Sequence, residues 1–248
     1  MSSETDTSTP PGKPASQTLS RGLRMLEVLA EASGPMTIAE LAAELGLHRS
    51  IAYRILRTLE EHNLAHRGRS GAVELAPGLA ALARGVQRDL QSASLPELTE
   101  LANELGVSAF LAVWDHRDCI TLVTVEPRHS SAAVIQRPGT RHAFTRGAPG
   151  IAIQSSHTAE EWEARMPDEP YREAAAEARR RGFASSHDEV IPGVSSVAAP
   201  VIVPGQLPAS VAIVYPTATG PLPAEELGGR VAQAARTIER SLGSVVQR

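Results

Sequence analysis

The spacing of apolar and polar positions changes along the chain. From about residue 19 to residue 64, apolar side chains recur every three or four positions, the period of helices buried on one side. A first helix is expected from about Leu19 to Ala32, with Leu19, Leu23, Leu26 and Ala30 on one face. Ser33-Gly34-Pro35 ends it, because Pro35 has no N–H to donate and disfavours a helical residue before it. Thr37 followed by Glu40 makes a capping box, and Ile38, Leu41, Ala42 and Leu45 then keep helical step. Gly46 stops this helix, since glycine enters a left-handed C-cap at little cost. After a turn of about three residues a further helix begins near His48. Two short helices joined by a tight glycine turn are the helix-turn-helix pattern.

The later of these two helices has unlike faces. Ala52, Ile55, Leu56 and Leu59 fall at i, i+3, i+4 and i+7 and form its buried stripe. Ser50, Tyr53, Arg54 and Arg57 repeat that spacing opposite, offering two guanidiniums, a phenol and a hydroxyl. Arginine can grip phosphate or pair with guanine in two hydrogen bonds, and Tyr and Ser reach phosphate oxygens. Ile51 can meet a thymine methyl, and Arg49 adds charge at the helix start. Glu60 and Glu61 come only at the far end, away from the turn that usually enters the groove. Residues 64–67 and 72–75 then read as two short strands around a Gly-Arg-Ser-Gly turn, flanked by Arg67 and Arg69. Such a basic hairpin is a wing. Arg49, Arg54, Arg57, Arg67 and Arg69 are expected to form one positive surface with Ser50, Ile51 and Tyr53.

Pro77 opens a helix expected to reach about Gln91, linking two modules, and Leu95-Pro96 starts another to Leu105. Beyond Gly106 the period becomes two. Strands are expected at 108–114, 119–125, 132–136, 183–186, 196–203 and 209–215. Helices are expected near Ile151, at 160–166, at 171–181, where Arg179-Arg180-Arg181 suits the C-terminal dipole, and at 223–242. Strands with helices grouped between them indicate an α+β domain on an antiparallel sheet.

Composition then divides the chain. Its 248 residues suit two domains, and an apolar fraction of 42% supports ordinary cores. Net charge is −4, yet residues 1–91 hold ten basic and ten acidic side chains, and residues 92–248 hold fourteen and eighteen. The negative excess therefore lies wholly in the second part, and the basic patch in the first. That fits a DNA-binding module joined to a domain that avoids DNA. Residues 1–16, rich in Ser, Thr and Pro, read as a disordered tail. No apolar run reaches the ~18 residues that span a bilayer, and the start lacks a secretory pattern, so the expected location is the cytoplasm, with no membrane partner. Cys119 is the sole cysteine and reads as a small buried residue in a strand.

These blocks, in this order, resemble the IclR family of bacterial transcription regulators. The resemblance runs from about Leu19 to Leu242, through residues 23–29, 38–64 and Leu75-Ala76-Pro77-Gly78, then Gly182-Phe183-Ala184, Asp188-Glu189, Pro192-Gly193-Val194 and Val197-Ala198-Ala199-Pro200. It implies a multidomain α+β chain: a winged helix-turn-helix at 17–76, a linker helix at 77–91 and a GAF-like effector domain at 92–248. It also implies homodimers or dimers of dimers on near-palindromic double-stranded operators, modulated by a small organic effector, with repression the favoured sign. Family positions that approach the effector map to Ser131, Ala148, Pro149, Ser186, Val194 and Ser196. The sequence departs from the family at Thr145, Ile151 and Ser196, where His, Lys and Cys are common, and at Ser186-His187, where an acid is usual. These changes bear on the effector, not the fold.

An enzyme in the second domain is the main rival. Ser185, Ser186, His187 and Asp188, like Ser195 and Ser196, have no Gly-x-Ser-x-Gly elbow around them, and neither a catalytic site, a metal site nor a cofactor is expected. A DNA-binding protein without a ligand is the other rival. The pocket is expected where Gly147-Ala148-Pro149-Gly150 faces residues 192–196, with Ser186 on its wall and Ser131 at its edge. An organic acid is among the candidate effectors, with Arg141 or Arg146 to balance its carboxylate.

Overall fold

The structure, a computed structural model, describes residues 16–115, 118–129, 134 and 136–246, in two compact units, 1–86 and 87–248. The expected tail before Ser16, the site residue Ser131 and most of the strand expected at 132–136 lie outside the described residues.

In the first unit, α1 (Gln17–Glu31) is capped by Ser16, α2 (Ile38–Glu44) by the Thr37–Glu40 box, and α3 (Arg49–Glu61) by His48. Strands β1 (Ala65–Arg67) and β2 (Val73–Leu75) pair antiparallel, and Val73 also bridges Met36, which ties the hairpin back to the start of α2. Met25, Leu41, Leu56 and Val73 are fully buried and knit the three helices to the wing. At roughly 1.5–3 kcal/mol for each large apolar side chain, this burial holds helices too short to stand alone. The face expected of α1 needs correction. Gly22, Met25 and Leu29 pack inward, whereas Leu19 and Leu23 are 62% and 52% exposed and Ala30 is exposed. A one-residue offset, about 100° of rotation about the axis, separates these stripes, and both are apolar, so periodicity alone did not choose between them.

The linker helix expected over 77–91 is also corrected. It is two helices, α4 (Gly78–Ala83) and α5 (Arg88–Leu105). Gln87 has φ +47° and breaks the run. From there α5 passes straight through Leu95-Pro96, where a new start is expected. Leu90, Ser94, Leu98, Leu101 and Leu105 form one buried stripe across that point, and Pro96 sits on the exposed side. A proline costs a helix one hydrogen bond, and packing of the opposite face outweighs that loss here.

The second unit is a six-stranded antiparallel sheet in the order β5-β4-β3-β8-β7-β6. The strands are β3 (Ser108–Asp115), β4 (Asp118–Val125), β5 (Arg141–Ala143), β6 (Ala184–His187), β7 (Val194–Val201) and β8 (Ala209–Pro216). Strand β5 is absent from the sequence expectation; three residues give no period to read. Alternation along β3 sends Ala109, Leu111 and Val113 to one face and Phe110, Ala112 and Trp114 to the other. The first face carries α5 and α9 (Ala224–Val246). The second carries α6 (Gly147–Ser155), α7 (Ala159–Arg165) and α8 (Glu173–Arg181), with Trp114, Phe144 and Trp162 in mutual ring contact at 5.1–5.3 Å. Cys119 is buried in β4 and its thiol is pushed up to about 12, first by burial and then by the Asp118 charge.

Candidate nucleic-acid interface and ligand pocket

Because Ala52, Ile55, Leu56 and Leu59 anchor α3, the opposite side of that helix must face outward. Arg49, Ser50, Ile51, Tyr53, Arg54 and Arg57 are all exposed, as are Arg67 and Arg69 on the wing. The turn enters α3 through His48, whose Nδ1 lies 2.8 Å from Ser50 Oγ. Two of the five arginines of the expected positive surface have acidic partners within the protein. Arg67 makes a two-point ion pair with Glu60, Nε and Nη2 each 2.9 Å from a carboxylate oxygen, and its guanidinium carbon lies 4.9 Å from the Tyr53 ring centroid. Arg57 donates to Glu61 one turn on, at 3.3 Å. Glu60 and Glu61 are thus partners of the basic face rather than bystanders beyond it. The Glu60 carboxyl is held below its ordinary value chiefly by Arg67. The i, i+4 spacing of Arg57 and Glu61 was a usable signal for one pair. The Arg67–Glu60 pair joins strand to helix and had none.

The second site lies on the α6 face of the sheet. A small pocket opens between the start of α6, the strand ends of β7 and β8, and residues 189–191. Pro149, Ser186, Val194 and Ser196 line it, four of the expected effector positions. Ala148 does not. It is fully buried one position along the helix, and its N–H donates to Ser186 Oγ at 2.9 Å. Phe110 and Val214 supply the floor from the sheet, and Val190 and Ile191 the rim.

All nine residues of α6 are buried, so its N-terminal amides need partners from elsewhere in the fold. Besides Ser186, the partner is Glu189. Its Oε2 accepts from Gly147 N–H at 2.8 Å, and both its oxygens accept from Arg172 Nη2, at 3.1 and 3.2 Å. Gly147 turns into the helix at φ +84°, a conformation natural to glycine. Gly150 has a different reason to be glycine: a Cβ there would sit 1.9 Å from the Phe144 carbonyl oxygen. Burial raises the Glu189 carboxyl, but Arg172, the Gly147 amide and the Arg146 charge together outweigh it and leave the group below its ordinary value.

His142 also lines the pocket, and sequence reasoning missed it. Its Nε2 is buried without a hydrogen-bond partner, and burial holds the ring below the usual imidazole range, the Asp118 charge opposing only in part. Neither arginine expected to face a ligand carboxylate lines the pocket. Arg141 is paired with Asp118 at 2.8 Å, and Arg146 is exposed.

Ser195 and His187, part of the enzymatic rival, do meet, with Oγ 2.6 Å from Nδ1. Ser195 is fully buried and also 2.7 Å from Thr217 Oγ1, and Asp188 accepts from Gly193 N–H. Alternation along β7 turns Ser195 away from the face that Val194 and Ser196 share with the pocket. Among the described residues no helix is long and apolar enough to cross a membrane, and no group of three His, Cys, Asp or Glu could hold a metal.

Residues 18–69 match the IclR helix-turn-helix domain. Over 251 aligned residues, 92% of this chain and 97% of the relative, the sequence is 28% identical to the glycerol operon regulatory protein of Streptomyces griseus. It is 34% identical over 107 residues, 41% of this chain and 38% of the relative, to the transcriptional repressor IclR of Escherichia coli. The fold is similar to that of an IclR transcriptional regulator from Alicyclobacillus acidocaldarius, with TM-score 0.78, 22% identity and coverage of 93% of this chain and 100% of that one. An IclR homolog from Microbacterium hydrocarbonoxydans, complexed with 4-hydroxybenzoate, is similar at TM-score 0.78 and 21% identity, covering 92% and 99%.

Proposed function

We propose that this chain, which belongs to the IclR family of transcription regulators, holds operator DNA through α3 and the β1–β2 wing and changes that hold when a small organic molecule enters the pocket beside α6. The observation that carries the DNA half is the exposed Ser50-Tyr53-Arg54-Arg57 face on a helix whose other side is locked into a core. Arg49, Ser50 and Ile51 at its start are the residues for base edges, Arg54 for a guanine or phosphate, and Arg69 for the backbone. Two copies are needed. One recognition helix covers too few base pairs, and a two-fold pair reaches major grooves about 34 Å apart or a multiple of that. The exposed Leu19 and Leu23 of α1 suit contact with a second copy.

The effector half rests on a pocket that is mostly apolar with a few polar groups, as ligand sites are. The 4-hydroxybenzoate carried by one structural relative supports a small organic ligand as the type of molecule. Repression relieved by that ligand is the sign that relatives such as the Escherichia coli repressor support. By linkage, whatever the ligand does to operator affinity, the operator does to ligand affinity.

Electrophoretic titration at several salt concentrations tests the DNA half. Arg54→Ala should cost about 1–3 kcal/mol and relax base preference if Arg54 reads a base. An Arg54→Ala, Arg57→Ala double variant with unchanged affinity removes α3 as the recognition helix. Light scattering that finds only monomer at micromolar concentration, with and without DNA, removes the dimer.

A further inference from the structure

We propose that the pocket beside α6 selects an uncharged molecule bearing a hydroxyl, which bonds His142 Nε2, and discriminates against carboxylates. The inference rests on the reading of this pocket as the effector site and narrows it to a ligand class.

Charge is the first ground. No lysine or arginine lines the pocket among the described residues, and its one ionised lining group is an acid, Glu189. A carboxylate entering here would meet that acid. The groups that could have welcomed an anion are already committed. Gly147 N–H is bonded to Glu189, Ala148 N–H to Ser186, and Arg172 to Glu189 and to the Thr145 carbonyl. The start of α6 therefore carries its own internal anion. A cation gains little either, since Glu189 is balanced by Arg172 at 3.1 Å.

Unmet hydrogen bonding is the second ground. A buried polar atom without a partner carries the full cost of its lost hydration, and native folds rarely leave one unexplained. His142 Nε2 is such an atom, on a pocket-lining ring, and it faces Gly147, where a Cβ would lie 3.8 Å from it. A hydroxyl can donate to that nitrogen or accept from it, so it serves either tautomer. Ser186 Oγ is occupied as an acceptor from Ala148 and retains a proton to give to the same ligand. Phe110, Pro149, Val194 and Val214 would enclose the apolar body.

The matched pair 4-hydroxybenzamide and 4-hydroxybenzoate isolates charge, because the two share size, ring and hydroxyl. Both would be titrated into the full-length protein, with binding read from thermal unfolding and from the His142 imidazole nitrogen resonances. The amide should bind at least tenfold more tightly, about 1.4 kcal/mol, and should move the His142 signals. His142→Leu should weaken the amide about tenfold with an unchanged circular dichroism spectrum, and His142→Gln, which keeps a polar nitrogen and oxygen, should recover part of that loss. Equal or tighter binding of the benzoate overturns the ligand class while leaving the effector site standing. Binding of the amide that His142→Leu does not change overturns the role of His142. Binding of neither compound at millimolar concentration overturns this inference. Loss of the proposed function reads out separately, as failure of the unliganded protein to bind operator DNA.

Discussion

Helices α3 and α6 each anchor a site, and they are built by opposite rules. Of the thirteen residues of α3, Ala52, Ile55, Leu56 and Leu59 are buried and the face opposite them is open. All nine residues of α6 are buried. The first turn of α3 is capped from next door, by His48, whereas α6 takes its caps from Ser186 and Glu189, 38 and 42 positions later in the chain. A helix with one solvated face can act as a surface, and its site is local in sequence. A helix enclosed on all sides can act only at its ends, and its site must be assembled from distant segments. The same difference divides their tolerance to change: the exposed face of α3 can be altered without disturbing a core, and no position of α6 can.

Gly150 tests that contrast at its strongest. Gly150→Ala would drive a Cβ into the Phe144 carbonyl oxygen, which is backbone and cannot swing aside. We expect a loss of about 3 kcal/mol or more, of the size reserved for core strain. Urea denaturation followed by the fluorescence of Trp114 and Trp162, both buried on this face, measures it. A loss under about 1 kcal/mol would mean that α6 can shift and that its enclosure is looser than its burial implies.

A middling effect belongs to the caps. Ser186→Ala removes the acceptor of a buried amide at Ala148 and should cost about 1–2 kcal/mol in the same assay. Glu189 makes the matching prediction in pH. Its carboxyl is lower in the fold than its ordinary value of 4.5, so it stabilises the folded state above that value, and the contribution is lost as pH falls through the lowered one. Glu189→Gln should therefore flatten the decline in stability below about pH 4.5 and leave the pH dependence near neutrality unchanged. An acid limb identical to that of the wild type would mean that the carboxylate contributes no cap to α6.

The contrast also explains what the sequence made legible. The capping box at Thr37, the glycine turn and the two-faced period of α3 are all set by residues within a turn or two of each other, so pattern reached both the fold and the exposed site. In the second unit the alternation along β3 and β4 was equally plain, and it located the sheet. The pocket was different. Pro149, Ser186, Val194 and Ser196 came from family likeness, and His142 and Glu189 came from neither likeness nor period as pocket-lining residues. Nothing near His142 in the chain marks it, because what makes it notable is an empty coordination around one ring nitrogen, which exists only once β5 lies beside α6. The break at Gln87 was hidden for a related reason. Residues 77–105 are apolar enough to be helical throughout, and only packing decided where the helix stopped.

The smallest expected effect lies on the exposed side, where Arg67 and Arg69 look equivalent in sequence and are not. Arg67 is held by Glu60 through two hydrogen bonds, so part of its charge is answered within the protein. Exposed pairs of this kind contribute about 0–1 kcal/mol, so Glu60→Gln should scarcely change folding. Its effect should appear on DNA instead. Releasing Arg67 frees a guanidinium for a phosphate, which should steepen the dependence of log affinity on log salt by up to about 0.9. In the wild-type background the same argument ranks the wing residues: Arg69→Ala should lower affinity more than Arg67→Ala. Arg67 keeps Glu60 ionised at any pH used for DNA binding, because Arg67 lowers that carboxyl below 4.5, so the pair cannot be released by buffer choice and the substitution is required. Salt titrations of the three variants decide the matter. If Glu60→Gln leaves the slope unchanged while Arg67→Ala reduces it, Arg67 already reaches phosphate from within its ion pair, and the wing behaves as the single positive surface that its sequence suggests.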